Sequence, residues 1–176
     1  MFVDPEKNLK TLGLKENSIV VDLGAGTGFY SVLAAHLVPM GKVYAIEVQK
    51  DLVEIIKNKA KHAHVKNVEV VWGNIEKIRG TKMADKIADA VLLSNVLFQV
   101  EDKANTVEEA RRILKDSGRV LLIDWSDSSS LINQKKINII PKDKIREMFE
   151  KKGFVFVRDI DAGEHHYGMI LQKDEK

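Results

Sequence analysis

The chain contains no cysteine among its 176 residues. That absence excludes disulfides, thiolate metal sites and covalent catalysis through a thiolate. Any chemistry here must use oxygen or nitrogen groups, or positioning alone. There is also no apolar run long enough to span a bilayer, and no secretory signal pattern precedes Asp4 and Pro5. The expectation is a cytoplasmic protein with no membrane span. An excess of either charge is missing too: 28 Lys and Arg against 26 Asp and Glu leave +2, so nucleic acid is not expected as a partner. No repeat, low-complexity tract or linker divides the chain. Residues 1–176 are read as a single domain, monomeric or a weak homodimer.

What is present is an alternation of short β-branched runs and helical patterns. Strands are expected at 18–23, 42–48, 68–72, 88–94, 119–124, 154–161 and 167–172, and helices at 6–12, 29–38, 50–62, 103–114 and 142–152. In the last helix Ile145, Met148 and Phe149 form one apolar stripe, with Pro141 at its start and Gly153 after its end. Residues 114–118 read as a helix end and a tight turn. Alternating β and α elements imply a parallel sheet covered by helices on both faces. The final two strands are too close in sequence for a parallel crossover, so they form an antiparallel hairpin.

The most informative segment is Val20-Val21-Asp22-Leu23-Gly24-Ala25-Gly26-Thr27-Gly28-Phe29-Tyr30-Ser31, an apolar strand that turns through alternating glycines into a helix. Such a turn gathers free backbone N–H groups at the positive end of a helix dipole. The following strand ends in Glu47, roughly 20 residues past the glycines, where such folds place an acceptor for a ribose diol. After the third strand Gly73-Asn74-Ile75 offers an amide for an adenine edge and an apolar side chain for its face. Strands four and five end at Ser94-Asn95 and Asp124-Trp125.

A dinucleotide fingerprint, Gly-x-Gly-x-x-Gly, would need a glycine where Phe29 stands. Asp22 in front of the turn repels a pyrophosphate and favours an ammonium group. A cofactor with adenosine at one end and an amino acid at the other satisfies both observations.

On these residues the chain resembles the class I S-adenosylmethionine-dependent methyltransferases. The glycine segment is similar to their first motif, Ala45-Ile46-Glu47 to the acidic second, and Gly73-Asn74-Ile75 to the adenine-contacting third. Residues 89–95 and 114–122 are similar to the fourth and to the entry into strand five. The resemblance implies an α/β, Rossmann-like three-layer sandwich, with a seven-stranded mostly parallel sheet whose last strand is antiparallel. It implies S-adenosyl-L-methionine as cofactor, with Gly24, Gly26 and Gly28 around its methionine part. Glu47 would hold the ribose hydroxyls, Asp22 would face the amino group, Asn74 and Ile75 would meet adenine, and Ser94 would line the methionyl end or the acceptor site. Asn74 departs from the Asp of many relatives, although an amide oxygen still accepts from an amino group.

Methyl transfer from a sulfonium is an in-line displacement, so a base is needed only where the acceptor must lose a proton. Candidates for acceptor chemistry are Asp124 and, in the final hairpin loop, His165 and His166; Tyr167 lies beside them. Asp124 has a competing reading as a loop clamp, and the histidines as a solvated turn. Asn95 is read as a helix cap or, with Gln99, as a lining residue. Without cysteine, cytosine C5 methylation and thiolate capture are excluded. Ser94-Asn95-Val96-Leu97 is not the Pro-Pro-aromatic signature of amino-methylating enzymes, and no metal cluster assembles. A small-molecule acceptor is expected, nearest the quinone-biosynthesis branch; a protein or RNA acceptor and an inactive cofactor-binding regulator remain alternatives. The N-terminal segment and residues 126–140 are expected to cover the pocket. Calorimetry is expected to show binding of S-adenosylmethionine and S-adenosylhomocysteine but not NAD; binding of NAD alone would overturn the cofactor assignment.

Overall fold

The computed structural model describes residues 4–126 and 139–175. The 127–130 stretch and most of the expected 126–140 cover lie outside the described residues. In chain order the elements are α1 (Pro5–Lys10), β1 (Ile19–Leu23), α2 (Phe29–Leu37), β2 (Lys42–Glu47), α3 (Lys50–His62), β3 (Val68–Trp72) and β4 (Ala88–Ser94). They continue with α4 (Lys103–Ile113), β5 (Leu114–Trp125), α5 (Lys142–Lys151), β6 (Phe154–Ile160) and β7 (His166–Lys173). Among the described residues no helix is long and apolar enough to cross a membrane.

The strands form one seven-stranded sheet in the order β3-β2-β1-β4-β5-β7-β6. β1 pairs in parallel with β2 and β4, and β7 runs antiparallel to both β5 and β6. The expected architecture is therefore the observed one. Order reverses at β1, where the chain leaves for β2 on one side and returns to β4 on the other. That switch point is where ligands sit in open α/β sheets.

Strand alternation divides the core into two layers. Val21 and Leu23 of β1, Val91 and Leu93 of β4, and Val120 and Leu122 of β5 pack with Val107 and Ile113 of α4 and Phe149 of α5. Val20, Leu92, Leu121 and Ile123 face the other way, onto Leu9 of α1 and Ala34 and Ala35 of α2. Strands buried on both faces must be apolar throughout, which is why β1, β4 and β5 read as continuous hydrophobic runs.

Three local expectations need correction. The tight turn expected at 114–118 is a bulge inside β5: Ala88 pairs with Leu114, Ala90 with Arg119, and Ser117 takes a φ of 60° between them. His166 and Tyr167 open β7, so only His165 stays in the hairpin loop. Asn95 does not cap a helix; it has a φ of 54°, and Asp102 caps α4.

A buried polar cluster ties the long β3–β4 connection to α4. Glu109 is fully buried and accepts from Arg112 Nε and Nη2 at 2.8 and 2.7 Å, from the Arg79 N–H at 2.9 Å, and from the Thr81 hydroxyl. Burial works against its charge, yet Arg112, Thr81 and the Arg79 N–H hold its carboxyl below the usual range. Removing it leaves a guanidinium with little exposure and one remaining acid, Asp85, at its outer edge. Glu109→Ala is expected to destabilise the fold by about 3–5 kcal/mol in urea unfolding, and Glu109→Leu with Arg112→Met to recover much of the loss.

Candidate functional site

The carboxyl ends of β1, β2, β3 and β4 open onto two adjoining cavities. The first, of about 310 Å³, is lined by Ile46, Glu47, Gln49, Leu52, Gly73, Asn74, Ile75 and Val96 among others. The second, of about 280 Å³, is lined by Asp22, Thr27, Phe29, Tyr30, Ser94 and Asn95 among others. Gly24, Gly26 and Gln99 line both. The glycine turn is thus the partition between two compartments.

The three glycines have different physical reasons. All adopt positive φ, which L side chains resist. A Cβ on Gly24 would lie 2.4 Å from Val96, and one on Gly28 would lie 2.8 Å from Ile56, so both are required by packing. A Cβ on Gly26 would meet nothing within 4 Å. The open space above Gly26 belongs to the cavities, and it is the cradle that a ligand would fill.

Glu47 is buried at the end of β2 and joins the turns around it. Its Oε2 accepts from the Gly26 N–H at 2.9 Å; its Oε1 accepts from the Val48 and Gln49 N–H groups at 2.8 and 2.9 Å. A carboxylate offers about four acceptor positions, so capacity remains toward the first cavity. Asn74 Oδ1 accepts from the Glu76 N–H at 2.8 Å and so forms an Asx turn. The amide lines the cavity with its oxygen already engaged, beside the buried Ile75.

Alternation places Asp22 on the α2 face of β1, below the second cavity. There it accepts from the buried Ser31 hydroxyl at 2.5 Å. Burial pushes its carboxyl up to about 6; the Ser31 bond opposes this and the nearby Glu47 charge adds to it. On the same face Ser94 meets the Tyr30 hydroxyl, which also meets Asn8 of α1. Asn8 in turn donates to the Asp161 carbonyl at 3.0 Å, so α1 joins this wall to the β6–β7 hairpin. Asn95 Oδ1 is buried with no hydrogen-bond partner among the described residues. An oxygen so placed is costly unless a ligand donates to it.

Asp124, Asp22's counterpart on β5, faces the opposite layer with Val120 and Leu122. Its oxygens accept from the Trp125 N–H at 2.8 Å and the Phe98 N–H at 3.2 Å. Burial pushes its carboxyl up to about 6, against these N–H groups. Asp124 lines neither cavity and holds the segment after β4 in place, which is the clamp reading. His166 lies on the α2 face instead, its ring 4.3 Å from that of Trp125, and its Nε2, like Nδ1 of His165, is buried without a partner among the described residues. Burial, then the neighbouring His165, lowers the His166 pKa and keeps its imidazole neutral at pH 7. Both histidines sit at the same sheet edge as the cavities but line neither.

Sequence reasoning missed Tyr30 and Val96 as lining residues. Tyr30 follows Phe29 on the first turn of α2, so the strand–glycine–helix pattern alone could have placed it. Val96 carries no local signal, since its role appears only in its contact with Gly24.

Joined compartments, a glycine cradle, a buried acid on each side and an orphaned acceptor fit a nucleoside bearing an amino-acid arm. The comparisons agree. Residues 14–173 match the profile of a family described as "Methyltransferase domain". The "Ubiquinone/menaquinone biosynthesis C-methyltransferase UbiE" of Haemophilus ducreyi is 30% identical over 137 residues, covering 74% of this chain and 52% of that protein. The chain spans about half the length of the curated relatives it matches first. Among solved structures, a "SAM dependent methyltransferase from Aquifex aeolicus" superposes with a TM-score of 0.84 at 29% identity, covering 96% of this chain and 89% of the other. The "[4+2]-Cyclase SpnF" also reaches 0.84, at 13% identity over 98% of this chain and 80% of its own, a likeness of fold alone.

An ammonium near Asp22 favours its charged form, so binding should expel a proton below pH 6. The affinity for S-adenosylhomocysteine is expected to hold above pH 6 and to fall by up to about tenfold per pH unit below it; Asp22→Asn should bind more weakly and flatten that slope. In the ligand-free protein the sign is opposite. A raised carboxyl stabilises the fold below its unfolded pKa near 3.8, and that contribution is lost as pH rises through about 6.

Proposed function

The chain belongs to the methyltransferase-domain family of S-adenosylmethionine-dependent enzymes, and from that premise we propose that it methylates a small-molecule acceptor by in-line displacement. The observation that carries this reading is that the second compartment, of about 280 Å³, has beside its Asp22 and glycine lining a further wall of Phe29, Tyr30, Ser94 and Asn95, which is left to the acceptor once Asp22 and the glycines take the cofactor's amino-acid arm. A recess of that size takes part of a small molecule, with polar groups set beside the edge-to-face rings of Phe29 and Tyr30. The Haemophilus ducreyi relative is named for ubiquinone and menaquinone biosynthesis. A quinone-type ring, planar with polar edges, is therefore the first acceptor class to test.

The cofactor supplies a methyl group activated on a sulfonium. The first compartment would hold adenosine, with Ile75 for the base, Asn74 for its edge and Glu47 for the ribose. Gly24, Gly26 and Gly28 would form the turn around the methionine part, and Asp22 would meet its amino group. Ser94 and the Tyr30 hydroxyl face the acceptor. Where the acceptor must lose a proton, His165 or His166, at the same sheet edge, is the group to take it. Asp124 holds the Phe98 backbone and takes no proton from the acceptor.

Glu47→Gln keeps the side-chain size and removes the charge. It is expected to weaken S-adenosylhomocysteine binding by about 1–3 kcal/mol in calorimetry, through lost charge-assisted hydrogen bonds. An unchanged Kd would place the ribose elsewhere. Turnover in a screen of quinone and phenolic compounds with labelled cofactor tests the acceptor class, and transfer only to protein or RNA would overturn it.

A further inference from the structure

We propose that the molecule carries a second ligand site at the opposite edge of its sheet, an anion pocket for a phosphorylated small molecule. A cavity of about 410 Å³ opens there, larger than either compartment of the donor site. It lies at the amino ends of β1, β4 and β5. From Asp89 to Ser94 along β4 is about 16 Å, so a ligand here cannot touch the donor compartments.

Three cations line this cavity, Lys15, Lys115 and Arg119, against one acid, Asp89. Asp89 is already committed: Oδ1 accepts from Lys115 Nζ at 2.7 Å and Oδ2 from the Ile19 N–H at 2.7 Å. Among the described residues Lys15 and Arg119 have no ion-pair partner within 4 Å. Arg119 rests instead on neutral oxygens, donating from Nη1 to the Leu12 carbonyl at 3.3 Å and from Nε to Gln172 at 3.4 Å. The bulge of β5 brings in Ser117, whose hydroxyl donates to Glu175, while Asp116 beside it is held by Lys86 and Lys173. Asp116 is neutralised by its lysines, while the exposed Glu175 keeps its charge against a neutral hydroxyl; Lys15 and Arg119, the two cations without an acid partner, outweigh it by about one charge.

The pocket is constructed as well as charged. Gly13 has a φ of +68°, and a Cβ there would stand in contact with Arg119 Nη1 at 3.4 Å, so the guanidinium end lies beside this turn. Ser18 is 7% exposed and lines the cavity; its oxygen accepts from the Lys15 N–H at 2.9 Å, which leaves its own proton free to donate. Leu12 and Leu14 complete the wall with apolar surface. A phosphomonoester carries about −1.5 to −2 at pH 7 and matches two free cations, where a carboxylate brings only one charge. A planar guanidinium with a lysine ammonium is a fitting pair of donors for it. The concave shape and apolar wall fit the organic part of a small molecule.

Calorimetric titration with phenyl phosphate and with acetate, at constant ionic strength, tests the site. Phenyl phosphate is expected to bind at least about tenfold more tightly than acetate, and Arg119→Gln to weaken it by at least about tenfold. Lys15→Glu, an exposed change on a loop, is expected to weaken it similarly and answers the question should the Arg119 variant fail to fold. In both variants the Kd for S-adenosylhomocysteine should stay within about twofold of the parent's, because the two sites share no contacts. Equal affinity for acetate, or an unchanged phenyl phosphate Kd in both variants, overturns the proposal.

Discussion

The carboxylate of Glu47 fixes the geometry on which the donor side depends. Its two oxygens accept from three backbone N–H groups, Gly26 on one side and Val48 and Gln49 on the other. Those groups belong to separate turns, the glycine turn after β1 and the turn into α3. Each turn leaves N–H donors unsatisfied by its own helix, and one buried acid satisfies donors in both. The two turns are thereby locked at a fixed separation, and the cavities on either side of Gly26 inherit their shape from that lock. An apolar residue at 47 would leave the N–H groups orphaned and the glycine turn without an anchor. The same side chain that lines the first cavity is thus part of the framework of its own pocket.

Strand alternation then assigns chemistry to sides. Asp22 and Ser94 point to the α2 face, where Ser31 and Tyr30 meet them. Asp124 points to the α4 face and spends its oxygens on backbone N–H groups. Two buried acids with similarly raised pKa values therefore have different work. Asp22 lines a cavity and has one hydroxyl partner, so a ligand cation can change its charge. Asp124 is held by N–H donors out of a ligand's reach. A pKa alone does not separate them; the direction of the side chain does.

The sequence made the donor half legible because its signals are local. Three glycines, an acid in front and an acid at the next strand end lie within 26 residues, Asp22 to Glu47, and each acts through the turn it sits in. The parallel sheet and the antiparallel hairpin followed from loop lengths and alternating patterns. The rest depended on contacts between distant segments. Asp124 meets Phe98 across 26 residues, and Asn8 meets Asp161 across 153. Glu109 sits in a helix whose Glu-Glu-Ala-Arg-Arg run reads as a solvated face, yet it is fully buried because the 79–81 segment folds over it. The histidines read as one loop pair, and the strand boundary split them, since Trp125 of β5 pairs with His166 and draws it into the ladder.

The same contrast explains why the donor is easier to identify than the acceptor. The donor pocket is built at one switch point from consecutive strand ends, and its shape is set by backbone that the glycines and Glu47 constrain. The wall of the second compartment is assembled from α2 through Tyr30 and from β4 through Ser94 and Asn95, and behind Tyr30 Asn8 of α1 links it to Asp161 of the hairpin. None of those contributions constrains the others in sequence, so each can change without disturbing the turn beneath. A fold arranged this way can keep one cofactor while its acceptor surface varies. The superposition with a protein named a cyclase, at a TM-score matching that of a methyltransferase, is what such an arrangement allows. Buried Asn95 Oδ1, which lines the second compartment and has no donor among the described residues, is the acceptor there that a bound molecule or a water would complete.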